Sequence, residues 1–155
     1  MNPNFAQIIE SFEPKLQSLK ASSGCTPLEF STMAPKAGIY VLFEGDVPLY
    51  VGRSNRLRER LSNHCRPKAT YRMAAFAFRL AREKTGFTKA TYTKAGSRKE
   101  LMNDPRFVGA FDEAKARIRS MCVRYVEENR PTHQALLEIY VSVALQTKYN
   151  DFDTH

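Results

Sequence analysis

Two tyrosines occupy matching places in two short segments, "GIYVLFE" and "PLYVGR". Both segments are rich in β-branched and aromatic residues, which is typical of β-strands, and Gly45 and Asp46 between them predict a hairpin turn. Side chains alternate along a strand, so Tyr40 and Tyr50 share one face if the hairpin register allows it. Tyrosine is also common in strands for packing alone, and the pair by itself does not indicate a site.

A dense run of arginines follows the hairpin directly. The guanidinium group is planar and donates paired hydrogen bonds to phosphate oxygens, which suits a phosphodiester on which negative charge develops. Helical arginines are also commonly solvated, so the run is equally compatible with a polar helix face. The arginines concerned are Arg53, Arg56, Arg58, Arg60 and Arg66.

Glu138 is the only Lys, Arg, Asp or Glu between Arg130 and Lys148. It lies within "ALLEIYVSVAL", and a carboxylate withdrawn from water is costly unless it is paired or binds a metal ion. Alternatively, Glu138 shares a narrow solvated stripe of the helix with Gln134 and Ser142. The helix alone favours this second interpretation, since most glutamates are exposed.

In order and spacing, these residues resemble the GIY-YIG nuclease family, with "GIY" at 38–40 and "YVG" at 50–52. The resemblance covers residues 37–64 and 118–150. Val51 replaces the usual isoleucine of the second triplet, a change that conserves volume. The residues that match the family outside the triplets are Arg53, Arg60, His64, Glu138 and Asn150.

The resemblance implies an endonuclease, a hydrolase that cleaves DNA phosphodiester bonds with the help of Mg²⁺ or Mn²⁺. It implies that Tyr40 lies beside the attacking water as general base and that Tyr50 positions the water or the phosphate. Arg60 would stabilise the pentavalent phosphorus. Glu138 would hold the metal ion, most of whose coordination is left to water and phosphate.

Three further residues have supporting roles in this resemblance. Asn150 would orient Glu138 or a metal-bound water, and His64 matches a histidine of some branches. At the position of Arg53 the family often has lysine. Because arginine does not deprotonate, Arg53 is expected to position phosphate rather than transfer a proton.

The elements predicted around these residues make an α+β fold, a small three-stranded antiparallel or mixed sheet flanked by helices. A leading amphipathic helix over 4–19 is expected to be kinked or split by Pro14, and Ser54 is expected to cap the helix that follows the hairpin. Further helices are predicted over 71–83, 105–117 and 131–147, and a third strand within 118–128. The segment 87–100 is predicted to be a loop or a strand pair.

The length of 155 residues suits a single domain. Its core is expected at 37–64 and 118–150, with an N-terminal extension over 1–36 and a helical insertion over 65–117. The insertion is basic and is expected to select the substrate, although a solvated lid without a partner would have the same composition. The residues expected to bind nucleic acid are Arg53, Arg56, Arg58, Arg66, Lys68 and Arg72.

The net charge of +8 and the pI of about 9.6 favour a polyanionic partner, such as duplex or branched DNA. Because the chain has no recognisable zinc finger or helix-turn-helix, a targeting protein is a further expected partner. The three cysteines form no CxxC pair, the stretch "MNPNFAQIIE" lacks the basic-then-apolar pattern of a signal peptide, and there is no long apolar run. A soluble cytoplasmic protein without membrane contact is expected, nucleoid-associated or, in a eukaryote, nuclear.

Two other function classes remain open. A module that binds nucleic acid without cutting it, or a nuclease subunit that depends on its partner, would have the same basic composition. A protein-interaction domain that uses its methionine and aromatic residues is the third alternative. Steep loss of DNA affinity with salt would separate the nucleic-acid functions from this last one.

Overall fold

The computed structural model describes residues 1–87 and 97–152, and the chain divides into two compact units. We call Met1–Arg60 together with Met121–His155 the sheet unit, and Leu61–Ser120 the helical unit. The helical unit contains the whole of the basic stretch 65–117. Each unit is described by itself below.

The sheet unit is built on β1 (Gly38–Glu44), β2 (Val47–Ser54) and β3 (Cys122–Glu127). The strand order is β2-β1-β3, and both pairs are antiparallel. Within the described residues, the predicted α+β class with a three-stranded antiparallel sheet is therefore confirmed. β1 is the central strand, and six of its seven residues are buried, which explains its nearly continuous apolar sequence.

The hairpin between β1 and β2 turns at Gly45, whose φ of 61° lies in the left-handed region that favours glycine. The register shifts between Leu42 and Phe43, so that Leu49 of β2 is an additional residue. The backbone carbonyl of Leu49 accepts a hydrogen bond from the N–H of Tyr149 at 3.0 Å. The chain after the last helix is thus tied to the outer edge of the sheet.

Helices α1 (Pro3–Glu10), α2 (Phe12–Ala21), α3 (Pro27–Phe30) and α8 (Pro131–Leu145) belong to the sheet unit. Helix α4 (Leu57–Cys65) begins in the sheet unit and ends in the helical unit. The core joins Phe12 and Leu16 of α2, Val41 and Val51 of the hairpin, and Leu137 of α8. Burial of these side chains fixes the face of α8 that lies on the sheet.

Two predicted element boundaries are wrong in detail. The leading helix is split, as one of the two alternatives predicts, but the break lies at Ser11, and Pro14 lies in the first turn of α2, where a missing N–H has little consequence. Ser54 ends β2, and α4 begins only at Leu57. The Ser54 hydroxyl instead accepts a hydrogen bond from the N–H of Arg56 at 2.9 Å in the connecting turn.

The helical unit contains the end of α4, α5 (Ala75–Thr85), α6 (Arg98–Leu101) and α7 (Pro105–Arg119). Helices α5 and α7 pack through aromatic rings, with Phe78 4.9 Å from Phe107 and 6.2 Å from Phe111 between centroids. The predicted helices are present, although α5 begins at Ala75. Most of the predicted loop or strand pair, residues 88–96, lies outside the described residues.

Some basic residues of the helical unit hold its own fold together. The buried Lys115 ammonium donates hydrogen bonds to the carbonyls of Pro67 at 2.7 Å and Ala69 at 3.0 Å. Arg119 donates to the carbonyl of Cys65 at 2.5 Å. Lys115 is therefore structural, since it is buried and its ammonium donates within the unit, and Arg119 contributes one such hydrogen bond.

Charge is distributed unequally between the two units. The helical unit has fourteen Lys and Arg against five Asp and Glu, a net charge of +9, and the sheet unit has ten against eleven, a net charge of −1. The helical unit thus accounts for the basic excess of the chain. In the two described ranges, no helix is long and apolar enough to cross a membrane.

Candidate active site

The two tyrosines lie on one face of the hairpin. Tyr40 pairs with Gly52 across the strands, and Tyr50 pairs with Leu42, so alternation places both phenols on the same side. Their ring centroids are 6.3 Å apart. The predicted shared face is confirmed.

The glycine of "YVG" is required by the close approach of Tyr40. A Cβ atom at Gly52 would overlap the hydroxyl and ring of Tyr40. Gly38 is confined in a similar way, because a Cβ there would overlap the backbone carbonyl of Val126 on β3. Both glycines of the sequence motif therefore have a packing explanation in this fold.

Arg60 reaches the two phenols from α4. The start of this helix is anchored by a hydrogen bond from the Leu57 N–H to the Lys36 carbonyl at 2.9 Å. The Arg60 guanidinium hydrogen-bonds the hydroxyls of Tyr40 and Tyr50. Burial acts to lower the pKa of Arg60, but the two phenol oxygens outweigh it and raise the pKa above its ordinary value.

The Tyr40 side chain is fully buried. Burial, followed by the nearby Tyr50, raises the pKa of Tyr40 above its ordinary value, while Arg60 acts in the opposite direction. In the protein alone, Tyr40 is therefore a neutral phenol near pH 7. A role as base requires further stabilisation of the phenolate.

Glu138 forms an ion pair with Arg53, whose Nε lies 3.1 Å from Oε2 of the carboxylate. The Glu138 side chain is 18% exposed, and the Arg53 side chain is 45% exposed. Burial raises the pKa of Glu138, and the Arg53 guanidinium acts in the opposite direction. The carboxylate is thus partly withdrawn from water but compensated.

The alternative of a solvated stripe along α8 is wrong. Gln134 is 2% exposed and Ser142 is 6% exposed, so this side of the helix is covered by the rest of the sheet unit. The Gln134 amide donates to the side-chain carbonyl of Asn55 at 3.2 Å and to the backbone carbonyl of Glu128 at 2.8 Å. Glu138 follows one turn later on the same side.

These groups surround an open cavity of about 560 Å³ that lies entirely within the sheet unit. Five predicted site residues line it, from both strands of the hairpin, α4 and α8. The remaining lining residues, apart from the motif glycine, were not identified from the sequence as site residues. The complete lining is Tyr40, Tyr50, Gly52, Arg53, Ser54, Asn55, Arg60, Gln134, Glu138 and Phe152.

The Asn150 side chain hydrogen-bonds to the backbone of β2. Its amide accepts a hydrogen bond from the Val51 N–H at 2.7 Å and donates one to the Val51 carbonyl at 2.8 Å. The Thr147 hydroxyl donates to the same amide oxygen at 2.9 Å. Asn150 therefore pairs with the backbone N–H and carbonyl of Val51, which lie at the outer edge of β2 between Tyr50 and Gly52. This position differs from the predicted role of orienting Glu138.

His64 lies in the helical unit and is fully buried. Its ring packs edge-on against Phe76 of α5, with centroids 6.3 Å apart. It is absent from the cavity lining among the described residues. The structure therefore gives His64 a packing position and does not bring it to the predicted site.

The other arginines and the lysine expected to bind nucleic acid are exposed. On α4 and just before it, Arg56 pairs with Glu59 at 3.2 Å, and Arg58 donates to the Met33 carbonyl at 3.3 Å. The three in the helical unit lie in the stretch between α4 and α5. They are Arg66, Lys68 and Arg72.

Within the described residues, no three His, Cys, Asp or Glu side chains gather as a metal-ion cage. Glu138 is the acidic residue of the cavity lining. Comparison with models of protein families, with curated proteins and with solved structures finds no significant match. The site is accordingly characterised by its own residues and geometry.

Proposed function

We propose that this chain is a divalent-cation-dependent endonuclease that hydrolyses DNA phosphodiester bonds through a GIY-YIG-type site. The observation that carries the proposal is the convergence of Tyr40, Tyr50, Arg60 and Glu138 on one open cavity. Two phenols, a guanidinium and a carboxylate are the groups needed to position a phosphodiester, stabilise its charge and move a proton. Packing alone does not explain why four such groups meet.

The donor chemistry of the cavity fits a hard divalent cation that keeps much of its water. Such ions are often bound through one or two carboxylates together with substrate phosphate oxygens. Glu138 would hold the ion, and Ser54, Asn55 and Gln134, whose side chains carry oxygen atoms, line the same cavity. Bound Mg²⁺ or Mn²⁺ would polarise the phosphodiester and make the attacking water more acidic.

The remaining roles follow from the side chains themselves. Arg60 is a fixed, partly buried cation that would stabilise the charge that develops on the phosphate. Tyr40 would accept the proton of the attacking water, and Tyr50 would position the water or the phosphate. Because burial raises the pKa of Tyr40, this transfer should become easier as the pH rises.

The helical unit supports DNA as the substrate, because it has a net charge of +9. A surface of this sign attracts phosphates over distances of about 10 Å at moderate salt. The exposed Arg66, Lys68 and Arg72 are the residues that would contact the DNA backbone. Duplex and branched DNA share this backbone, so both belong in the test.

A second candidate function is a module that binds DNA without cutting it, or that cuts only with a targeting partner. The Arg53–Glu138 ion pair favours this alternative, since the carboxylate of the cavity is already compensated without a metal ion. The basic helical unit would serve either function.

Cleavage of a panel of plasmid, branched and single-stranded DNA with Mg²⁺ or Mn²⁺ tests the proposal. We expect cutting by the wild type that is lost with EDTA and in Glu138→Gln. The exposed acid Glu127, changed to Gln, is the control for loss of one negative charge and should cut normally. Absence of cutting by the wild type, with salt-sensitive binding retained, would support the binding module, and cutting in EDTA would contradict the cation requirement.

A further inference from the structure

The Glu138 carboxylate, which lines the cavity, is paired with the positively charged side chain of Arg53. Arg53 Nε lies 3.1 Å from Glu138 Oε2. The arginine is 45% exposed while the glutamate is 18% exposed. Arg53 can therefore leave towards solvent more easily than Glu138 can.

The strand geometry explains how this pair forms. Val51 and Arg53 are two residues apart, so both lie on the same face of β2. The core covers this face, and Val51 packs there with Leu137 of α8. Tyr40 and Tyr50 lie on the opposite face. Since β2 is an edge strand, groups from both faces can meet around its edge in one cavity.

We propose that Arg53 occupies the cation position beside Glu138 and moves to the phosphate when a phosphodiester enters, so that binding of DNA and of the divalent cation is cooperative. This inference rests on the proposed nuclease function. The Nε–H that faces Glu138 is one of five guanidinium donors, but the phosphodiester and the Glu138 carboxylate compete for the single positive charge of Arg53. A guanidinium matches the phosphate geometry well, so the phosphodiester competes directly for Arg53.

The consequence for the cation follows from the burial of Glu138. Once Arg53 turns to the phosphate, the partly buried carboxylate has lost its compensating charge, and a divalent cation replaces it. In the absence of DNA, the same cation has to compete with Arg53. By linkage, DNA must tighten cation binding by the factor by which the cation tightens DNA binding, typically about 5-fold to 150-fold.

Binding of Mn²⁺ to the full chain, followed by the EPR signal of the free ion, tests this inference without using activity. The signal is recorded with and without saturating phosphorothioate DNA, and the binding that is lost in Glu138→Gln is assigned to the site. For the wild type, we expect DNA to tighten this Glu138-dependent binding at least about 5-fold.

The decisive variant is Arg53→Gln, which removes the internal cation. We expect it to bind Mn²⁺ at least about 5-fold more tightly than the wild type without DNA, and to show a smaller effect of DNA, namely the part that phosphate oxygens bound to the ion contribute. Arg53→Lys, which keeps a charge, should lie between the two. Lys20→Gln removes one exposed positive charge from the same unit and should match the wild type.

The outcomes separate the inference from the proposed function. Glu138-dependent Mn²⁺ binding that is equal in the wild type, Arg53→Lys and Arg53→Gln would overturn the role of Arg53 and leave the nuclease proposal intact. Absence of such binding in every variant, with and without DNA, would overturn the cation role of Glu138 and with it the proposed function.

Discussion

The sheet unit and the helical unit differ in how their charges are used. In the sheet unit, ten basic residues nearly balance eleven acidic ones, and charged groups meet each other in a cavity. In the helical unit, fourteen basic residues face only five acidic ones. In the proposed function, the sheet unit would position the reacting groups, and the helical unit would attract the polyanion over a longer range.

The pH dependence of cleavage should report on the sheet unit. The raised pKa of Tyr40 means that the fraction of phenolate grows tenfold per pH unit below that pKa. The single-turnover rate at saturating DNA should thus rise from pH 6 to pH 9, by up to about tenfold per pH unit while the phenol remains mostly protonated. A flat profile, with the chemical step shown to limit the rate, would exclude Tyr40 as the base.

The combined change of Arg66, Lys68 and Arg72 to Gln should weaken DNA binding through the helical unit. Loss of three phosphate contacts should reduce affinity about a hundredfold in 0.1 M salt and make the slope of log K against log salt shallower by about 2 to 3. The measurement is fluorescence anisotropy over a salt series. Cleavage at saturating DNA should keep its rate, and an unchanged salt slope would disprove the assignment.

Glycine substitutions should have opposite effects in the two units. Gly52→Ala places a Cβ against Tyr40 and should reduce the free energy of unfolding by about 2 to 3 kcal/mol. Gly109→Ala in α7 meets no atom within 4 Å and should increase it by about 0.5 to 1 kcal/mol. Urea unfolding measures both, and a stable Gly52→Ala variant would refute the close packing of Tyr40.

Glu128 should stabilise the sheet unit in a pH-dependent way. Burial acts to raise the pKa of this carboxylate, but hydrogen bonds from Arg130 and the charges of Lys15 and Arg130 lower it to about 2. Its contribution is therefore present above the unfolded pKa near 4.5 and is lost as the pH falls towards 2.

Glu128→Gln should accordingly reduce the free energy of unfolding by about 2 kcal/mol at pH 7, allowing for the exposed arginine partner. The deficit relative to the wild type should shrink between pH 4.5 and pH 2. Glu127→Gln, an exposed neighbour, is the control in the same urea titrations. If Glu128→Gln reduces the free energy of unfolding equally at all pH values, the charge of the Glu128 carboxylate is not the cause of the stabilisation.

The parts of the site that depend on local structure could be predicted from the sequence. The shared face of Tyr40 and Tyr50 follows from strand alternation and a two-residue turn. Arg60 and Glu138 were predicted as site residues through the resemblance to the GIY-YIG family, because the residues alone left Arg60 open and favoured a solvated Glu138.

The parts that depend on long-range packing could not be predicted. The burial of Gln134 and Ser142 depends on which side of α8 lies on the sheet, and helical periodicity does not specify the partner of a polar stripe. The Arg53–Glu138 pair and the bonds from Asn150 to Val51 join residues that are far apart in sequence. No local signal indicated Asn55 or Phe152, or the burial of His64.

The single-turnover cleavage rate of Arg60→Ala at saturating DNA tests most directly whether the cavity of the sheet unit performs the chemistry. If Arg60 stabilises the charge that develops on the phosphate, the rate should fall by about 100-fold to 1000-fold. The Kd for DNA should change only slightly, because in the proposed function the helical unit would provide most of the attraction. A rate equal to that of the wild type, with the variant folded, would contradict the account.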